Sequence, residues 1–298
     1  MLAFLFPGQG SQKVSMGQDL IEKYRIARGI YEEASKILGF DLLKLCLEGP
    51  ENELTKTQNA QVAILTYSYI AYLLLKEKKL FAEFMAGHSL GEFSAILCSE
   101  MLDFEQALKL VRKRGELMAS ADPEGKGGMA AVLGLEDEKV IKICEEISKE
   151  KYVEAVNFNA PGQVVISGLK EAIDIAEVKL KEAGAKRVVK LNVSGAFHSK
   201  LMENAANEFK NYLENIKFSK PKAKVVSNVT ADILDEKNVR ELLYRQMKSP
   251  VLWTKSVMFM KNNGVDSAIE VGYGNVISGL VAKIDPSIKI STFNQIIS

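Results

Sequence analysis

Short apolar runs bounded by turn residues alternate along this chain with longer stretches of helical period. Leu2–Phe6 is an apolar run halted by Pro7-Gly8, which predicts a buried strand ending in a loop. The period over 18–38, closed by Gly39, predicts one helix, and 59–79 a second, mostly buried one. A brief strand over 83–87 precedes helices over 90–100 and 104–119, the latter ending near Asp122-Pro123-Glu124-Gly125.

Beyond this point the pattern changes. Gly125-Lys126-Gly127-Gly128 reads as a hinge, because glycine permits backbone angles that other residues resist. A strand over 129–133 and a helix over 137–150 follow. Two strands, 153–157 and 164–167, flank a Pro161-Gly162 turn, before a helix over 170–183 and a strand over 188–193. The order β-α-β-β-α-β is that of a ferredoxin-like unit. After Ser194 the earlier alternation resumes. Helices are expected over 205–215, 239–247, 254–262 and 276–283, with strands over 224–228 and at Ser267–Glu270. The predicted fold class is α/β. Residues 1–125 and 194–298 form an α/β-hydrolase-like catalytic core with a parallel sheet, and 126–193 an inserted ferredoxin-like small subdomain.

Composition narrows the class. The chain has 298 residues, enough to bury a large core without disulfides or metals. Its apolar and charged fractions, 47% and 26%, are those of an ordinary globular protein. A net charge of +1 removes whole-molecule attraction to nucleic acid or an anionic membrane. Cys46, Cys98 and Cys144 are odd in number and far apart, so reduced thiols in a cytoplasmic protein are expected, with no metal site. The first residues lack the charge of a signal peptide, and the most apolar stretch, 62–75, is too short to span a membrane.

The chemistry starts at Gly87-His88-Ser89-Leu90-Gly91. Gly-x-Ser-x-Gly between a strand and a helix is a nucleophile elbow: the turn projects a serine hydroxyl at a helix N-terminus, where free N–H groups favour negative charge. The Leu90 N–H is thereby a candidate oxyanion donor. A serine hydroxyl needs a base, and the chain holds two histidines, His88 and His198. His88 adjoins Ser89, and neighbouring side chains on a tight turn usually diverge. His198 follows the return from the small unit, in Ser194-Gly195-Ala196-Phe197-His198-Ser199, and the order Ser then His matches the α/β-hydrolase style.

The chain resembles malonyl-CoA:acyl carrier protein transacylases of fatty-acid synthesis over nearly its whole length. The resemblance rests on Phe6-Pro7-Gly8-Gln9-Gly10-Ser11-Gln12, Gly87-His88-Ser89-Leu90-Gly91-Glu92, Arg112-Lys113-Arg114-Gly115 followed by Met118, Asn157-Phe158-Asn159-Ala160-Pro161-Gly162-Gln163, Gly195-Ala196-Phe197-His198 and Glu270-Val271-Gly272. It implies Ser89 as nucleophile, His198 as base, and Gln9 with the Leu90 N–H as oxyanion hole. Arg114 would hold the malonyl carboxylate, since a guanidinium matches a carboxylate bidentately. His88, Met118 and Phe197 would border the substrate. A backbone carbonyl near Gln246 would orient the histidine in place of an acid. The implied reaction is ping-pong, through a malonyl-serine, with malonyl-CoA and acyl carrier protein as substrates and no cofactor. The acidic carrier protein calls for a basic docking face, for which Lys186, Arg187 and Lys190 are candidates on a monomeric enzyme. Two other readings fit the same residues: a serine esterase or thioesterase with water as acceptor, and a non-catalytic module that binds the carrier.

Overall fold

The computed structural model describes residues 1–122 and 124–297, so Pro123 of the expected helix stop lies outside the described residues. The strands, in chain order, are β1 (Leu2–Phe6), β2 (Phe84–Gly87), β3 (Gly127–Leu133), β4 (Val153–Ala160), β5 (Gln163–Leu169), β6 (Arg187–Lys190), β7 (Lys224–Val226), β8 (Ile233–Leu234), β9 (Ser267–Glu270) and β10 (Lys289–Thr292). They form two sheets, a six-stranded one in the order β10-β9-β1-β2-β7-β8 and a four-stranded one in the order β4-β5-β3-β6.

All neighbours in the large sheet are parallel except β7 and β8, which are antiparallel. The expected parallel sheet thus carries one antiparallel strand at its edge. There a turn too short for a crossover joins Val226 to Ile233, and only an antiparallel return is possible. Strand β1 sits centrally and is apolar on both faces, because helices cover both faces of such a sheet. The long helix Thr57–Glu77 and the helix Phe104–Ser120 lie together against one side, in the core with Phe4, Phe6 and Met85. Trp253, Val257, Ile277 and Val281 cover the other side, against Ala3, Leu5, Phe84 and Ala86.

The small sheet is antiparallel throughout. Its core of Ala130, Val132, Val140, Val164, Ile166, Ala176 and Leu180 joins it to the helices Asp137–Ile147 and Lys170–Glu182. Its other face belongs to the main core, through Met129, Val156 and Val165. Backbone bonds at Val251, one to Val156 and one from Phe158, anchor β4 to the chain that follows the helix Val239–Gln246.

Two expectations change in detail. The single helix over 18–38 is two, Gln18–Lys23 and Arg25–Leu38, broken where Tyr24 is extended. Leu20, Ala27, Tyr31 and Ala34 are buried on both sides of the break, so the hydrophobic pattern carries no mark of it. The expected hinge is shorter, because Gly127 and Gly128 already pair with Leu169 and Gly168 in β3 and β5. Among the described residues, no helix is long and apolar enough to cross a membrane.

Candidate active site

Parallel pairing places the first two pieces of the site. Strands β1 and β2 align Phe6 with Gly87, so the loops leaving both strands emerge side by side at the carboxyl edge of the sheet, where α/β folds put their ligands. One loop carries Gln9 and the other Ser89. Ser89 has φ 53° and ψ −106° and caps the helix Leu90–Cys98. The flanking glycines are required by space. A Cβ on Gly87 would lie 1.9 Å from the Gly91 carbonyl carbon, and one on Gly91 would lie 2.2 Å from the Phe6 oxygen. His198 also has a positive φ, 60°. Both the serine and the histidine are thus held in backbone conformations that cost energy and persist only where the surroundings impose them.

The two side chains meet. Ser89 Oγ lies 2.7 Å from His198 Nε2, and His198 Nδ1 lies 2.8 Å from the Gln246 carbonyl oxygen. A carbonyl only accepts, so Nδ1 carries the proton and Nε2 keeps its lone pair for the serine hydroxyl. Burial, and secondly the Arg114 charge, push His198 down to about 3, which keeps the imidazole neutral.

Arg114 is buried to 1% exposure in the helix Phe104–Ser120. An arginine there must be hydrogen-bonded, and it donates to Gln61 Oε1 at 2.7 Å, Gln246 Oε1 at 2.9 Å and Ser89 Oγ at 3.2 Å. Its guanidinium also stands 5.0 Å from the Phe93 ring centroid. Burial lowers its pKa to about 9, partly offset by Glu92, so it stays cationic at neutral pH.

A cavity of about 370 Å³ opens over Ser89 and His198, between the two sheets. Gln9, His88, Met118 and Phe197 line it, as do Met129 and 191–193 from the small unit. Gln9 Nε2 is loosely held, 3.4 Å from Thr57 Oγ1. His88 does not point at His198. Its Nε2 lies 2.7 Å from Asn159 Oδ1, which ties the elbow to β4, and burial lowers its pKa. Leu90 is buried as the first residue of its helix, where an N–H has no intrahelical acceptor.

The basic trio lies elsewhere. Lys186, Arg187 and Lys190 do not line this cavity, and Lys190 is paired with Asp174 at 2.5 Å and Glu177 at 3.4 Å. Lys190 is therefore less free as a docking charge than its place in the sequence implied.

Sequence reasoning missed two residues at the site. Asn228 Oδ1 accepts from the Ser89 N–H at 2.7 Å while its Nδ2 donates to the Gly87 oxygen at 2.7 Å, clamping the turn from both ends. It follows β7 with no local signal. Glu92 is fully buried below the elbow, and one signal was present: a single charged residue within the mostly apolar stretch Leu90 to Leu97. The Glu270-Val271-Gly272 motif proves to be architectural. Glu270 accepts from the N–H groups of Ile277 and Ser278, capping the helix Val276–Ile284.

An α/β fold with a serine and histidine in contact at the carboxyl edge of its sheet defines the class, and comparison with known proteins agrees. A family model described as "Acyl transferase domain" matches residues 3–279, and the chain belongs to that family of acyltransferases. It is similar to the malonyl CoA-acyl carrier protein transacylase of Escherichia coli (strain K12), at 45% identity over 98% of this chain and 96% of that one. The corresponding protein of Haemophilus influenzae is also 45% identical, over 99% and 96%. Among solved structures, the acyl-carrier-protein S-malonyltransferase of Burkholderia pseudomallei 1710b superposes with a TM-score of 0.95 at 41% identity, covering 98% of this chain and 95% of that one. A malonyl-transacylase solved in complex with a type II polyketide synthase acyl-carrier protein superposes at 0.96 and 42% identity, covering 98% and 95%.

Proposed function

We propose that this protein transfers the malonyl group of malonyl-CoA to the phosphopantetheine thiol of acyl carrier protein, in fatty-acid synthesis, through a malonyl-Ser89 intermediate. The observation that carries this reading is the contact of one hydroxyl with two groups: Ser89 Oγ lies 2.7 Å from a neutral imidazole and 3.2 Å from a buried guanidinium. The first activates a nucleophile. The second suits an acyl group ending in a carboxylate, placed beside the carbon under attack.

In this reading Ser89 Oγ bonds to the thioester carbon as its proton passes to His198 Nε2. The Leu90 N–H and the Gln9 amide receive the oxyanion. The intermediate collapses, the carbon–sulfur bond breaks, and coenzyme A leaves as the thiol with the proton from His198. The carrier's thiol then attacks the malonyl ester, giving its proton to the same nitrogen, which returns it to Ser89 Oγ. These steps need no cofactor. His88, Met118 and Phe197 shape the acyl pocket, and the Gln246 carbonyl holds the imidazole.

The finer architecture supports the same reading. Strands β3 and β5 are central in the antiparallel small sheet, as a ferredoxin-like unit at 126–193 requires. Residues 1–125 and 194–298, with the elbow leaving β2, fit an α/β-hydrolase-like core. Lys186 and Arg187 remain the docking candidates for the carrier. We take the protein as a cytoplasmic monomer, a reading that the buried free thiols of Cys46, Cys98 and Cys144 support for the compartment.

Intact mass after brief mixing with malonyl-CoA tests the proposal. One malonyl adduct is expected, mapped to Ser89, lost in Ser89→Ala, and passed on when carrier protein is added. Release of free malonate with no transfer would sink it in favour of a thioesterase.

A further inference from the structure

Glu92 needs a reason. It is fully buried, its Oε1 has no partner among the described residues, and an isolated buried acid is expensive. Its other oxygen is well used. Glu92 Oε2 accepts from Gln246 Nε2 at 2.7 Å and from the Asn228 N–H at 3.3 Å. Those two residues hold the rest of the site. Asn228 clamps Ser89. The Gln246 carbonyl holds His198, and the Gln246 side-chain oxygen holds Arg114.

A glutamine amide can sit either way round, and the wrong way would set an NH₂ against the guanidinium. The Ser89 carbonyl and Glu92 Oε2 both accept from Gln246 Nε2, at 2.9 Å and 2.7 Å, so the nitrogen faces them and the oxygen faces Arg114. We propose that Glu92 is a positioning residue for acyl selectivity: its Oε2 fixes the orientation of the Gln246 amide, which in turn aims Arg114 at the acyl pocket. What matters is an acceptor oxygen at that point and not a charge. A proton on the unpartnered Oε1 leaves Oε2 free to accept. This inference rests on the reading that Arg114 holds the malonyl carboxylate.

Competition between malonyl-CoA and acetyl-CoA for Ser89, read as the ratio of adducts by intact mass, tests it. Glu92→Gln can place its amide oxygen at the Oε2 position, and should keep the wild-type ratio. Glu92→Met removes the acceptor at similar volume, and the malonyl preference should fall by about tenfold, through loss of malonyl acylation with acetyl acylation little changed. A merely structural role would lower the melting temperature and both acylation rates without moving the ratio. Should Glu92→Met fail to fold, Gln246→Met removes the other end of the same bond, keeps the backbone carbonyl that serves His198, and should lower the ratio similarly.

An unchanged ratio in folded Glu92→Met, or in Gln246→Met when Glu92→Met does not fold, would overturn the proposal. A Glu92→Gln ratio as low as that of the methionine variant would overturn it too, by showing that charge is what matters. Arg114→Ala run alongside separates the two levels. If it keeps malonyl preference, the carboxylate-clamp reading has failed. If it loses preference while the methionine variants keep it, only the role of Glu92 has.

Discussion

At the scale of single residues, the proposed mechanism depends on keeping one imidazole neutral. A histidine in water is half protonated near pH 6.5, but burial and the neighbouring Arg114 hold His198 far below that. The protonated form cannot accept the serine proton, so lowering the pKa extends the active range toward acid. The second-order rate of Ser89 acylation, which reports the free enzyme, should stay level between about pH 8 and pH 5. An inflection near the ordinary histidine value would show that the site is wetter, or the Arg114 charge better screened, than the geometry implies. Ser89 and His198 were both legible in the sequence because their signals are local: a turn with two glycines, and one remaining histidine. Asn228 was not, since an asparagine after a strand looks like any loop residue until the elbow folds against it.

At the scale of elements, the helix Phe104–Ser120 aims Arg114 only because it lies very close to the helix Thr57–Glu77. Gly115 is the contact point. A Cβ there would lie 2.6 Å from the Gln58 Cα, and backbone cannot yield as a side chain tip can. Gly115→Ala should force the helices apart and lower stability by about 1–3 kcal/mol, the usual cost of overpacking. The Arg114–Gln61 bond spans the same pair of helices. Malonyl acylation should therefore fall more than acetyl acylation. Thermal melts and the acyl competition together check this, and a variant with a normal melt and normal selectivity would refute the close-approach argument. The element pattern itself was largely legible, because strands and helices in this fold carry distinct periods. The break at Tyr24 escaped notice because it does not change which residues point inward, and the edge strands β8 and β10 and the helix Leu42–Glu48 because each is short and buries few residues.

At the scale of the whole molecule, burying Glu92 links folding to pH. Desolvation raises this carboxyl from 4.5 to about 7, opposed by hydrogen bonds from Gln246 and Asn228 and by the Arg114 charge. The folded value lies above the unfolded one. Its favourable contribution is therefore fully present below about pH 4.5 and is lost as pH rises toward 7. Glu92→Gln has no proton to lose, so its melting temperature relative to wild type should climb between those two values and level off above. A difference that stays constant across the range would mean that Glu92 titrates as it does in the unfolded chain. The active cavity is lined jointly by loops and helix ends around the large sheet and by Met129, Asn157 and 191–193 beside the small sheet, with His88 and Asn159 joined across the division.

The sequence alone pointed to most of the elements in their order, to the elbow that carries Ser89 and to His198 as the partner it meets, because each depends on residues within a few positions of one another or on scarcity. It also carried the family resemblance that singled out Arg114, Gln9 and Gln246. Tertiary structure decided the rest. It buried Arg114, which as a helix charge would otherwise face solvent. It paired Lys190 with acids and left that residue a weaker docking candidate. It also drew Glu92, Asn228 and Gln246 into one network from three separate stretches of chain. Hydrogen bonds between residues more than a hundred positions apart leave no periodicity to read, and only the packing of strands and helices brings their atoms within reach.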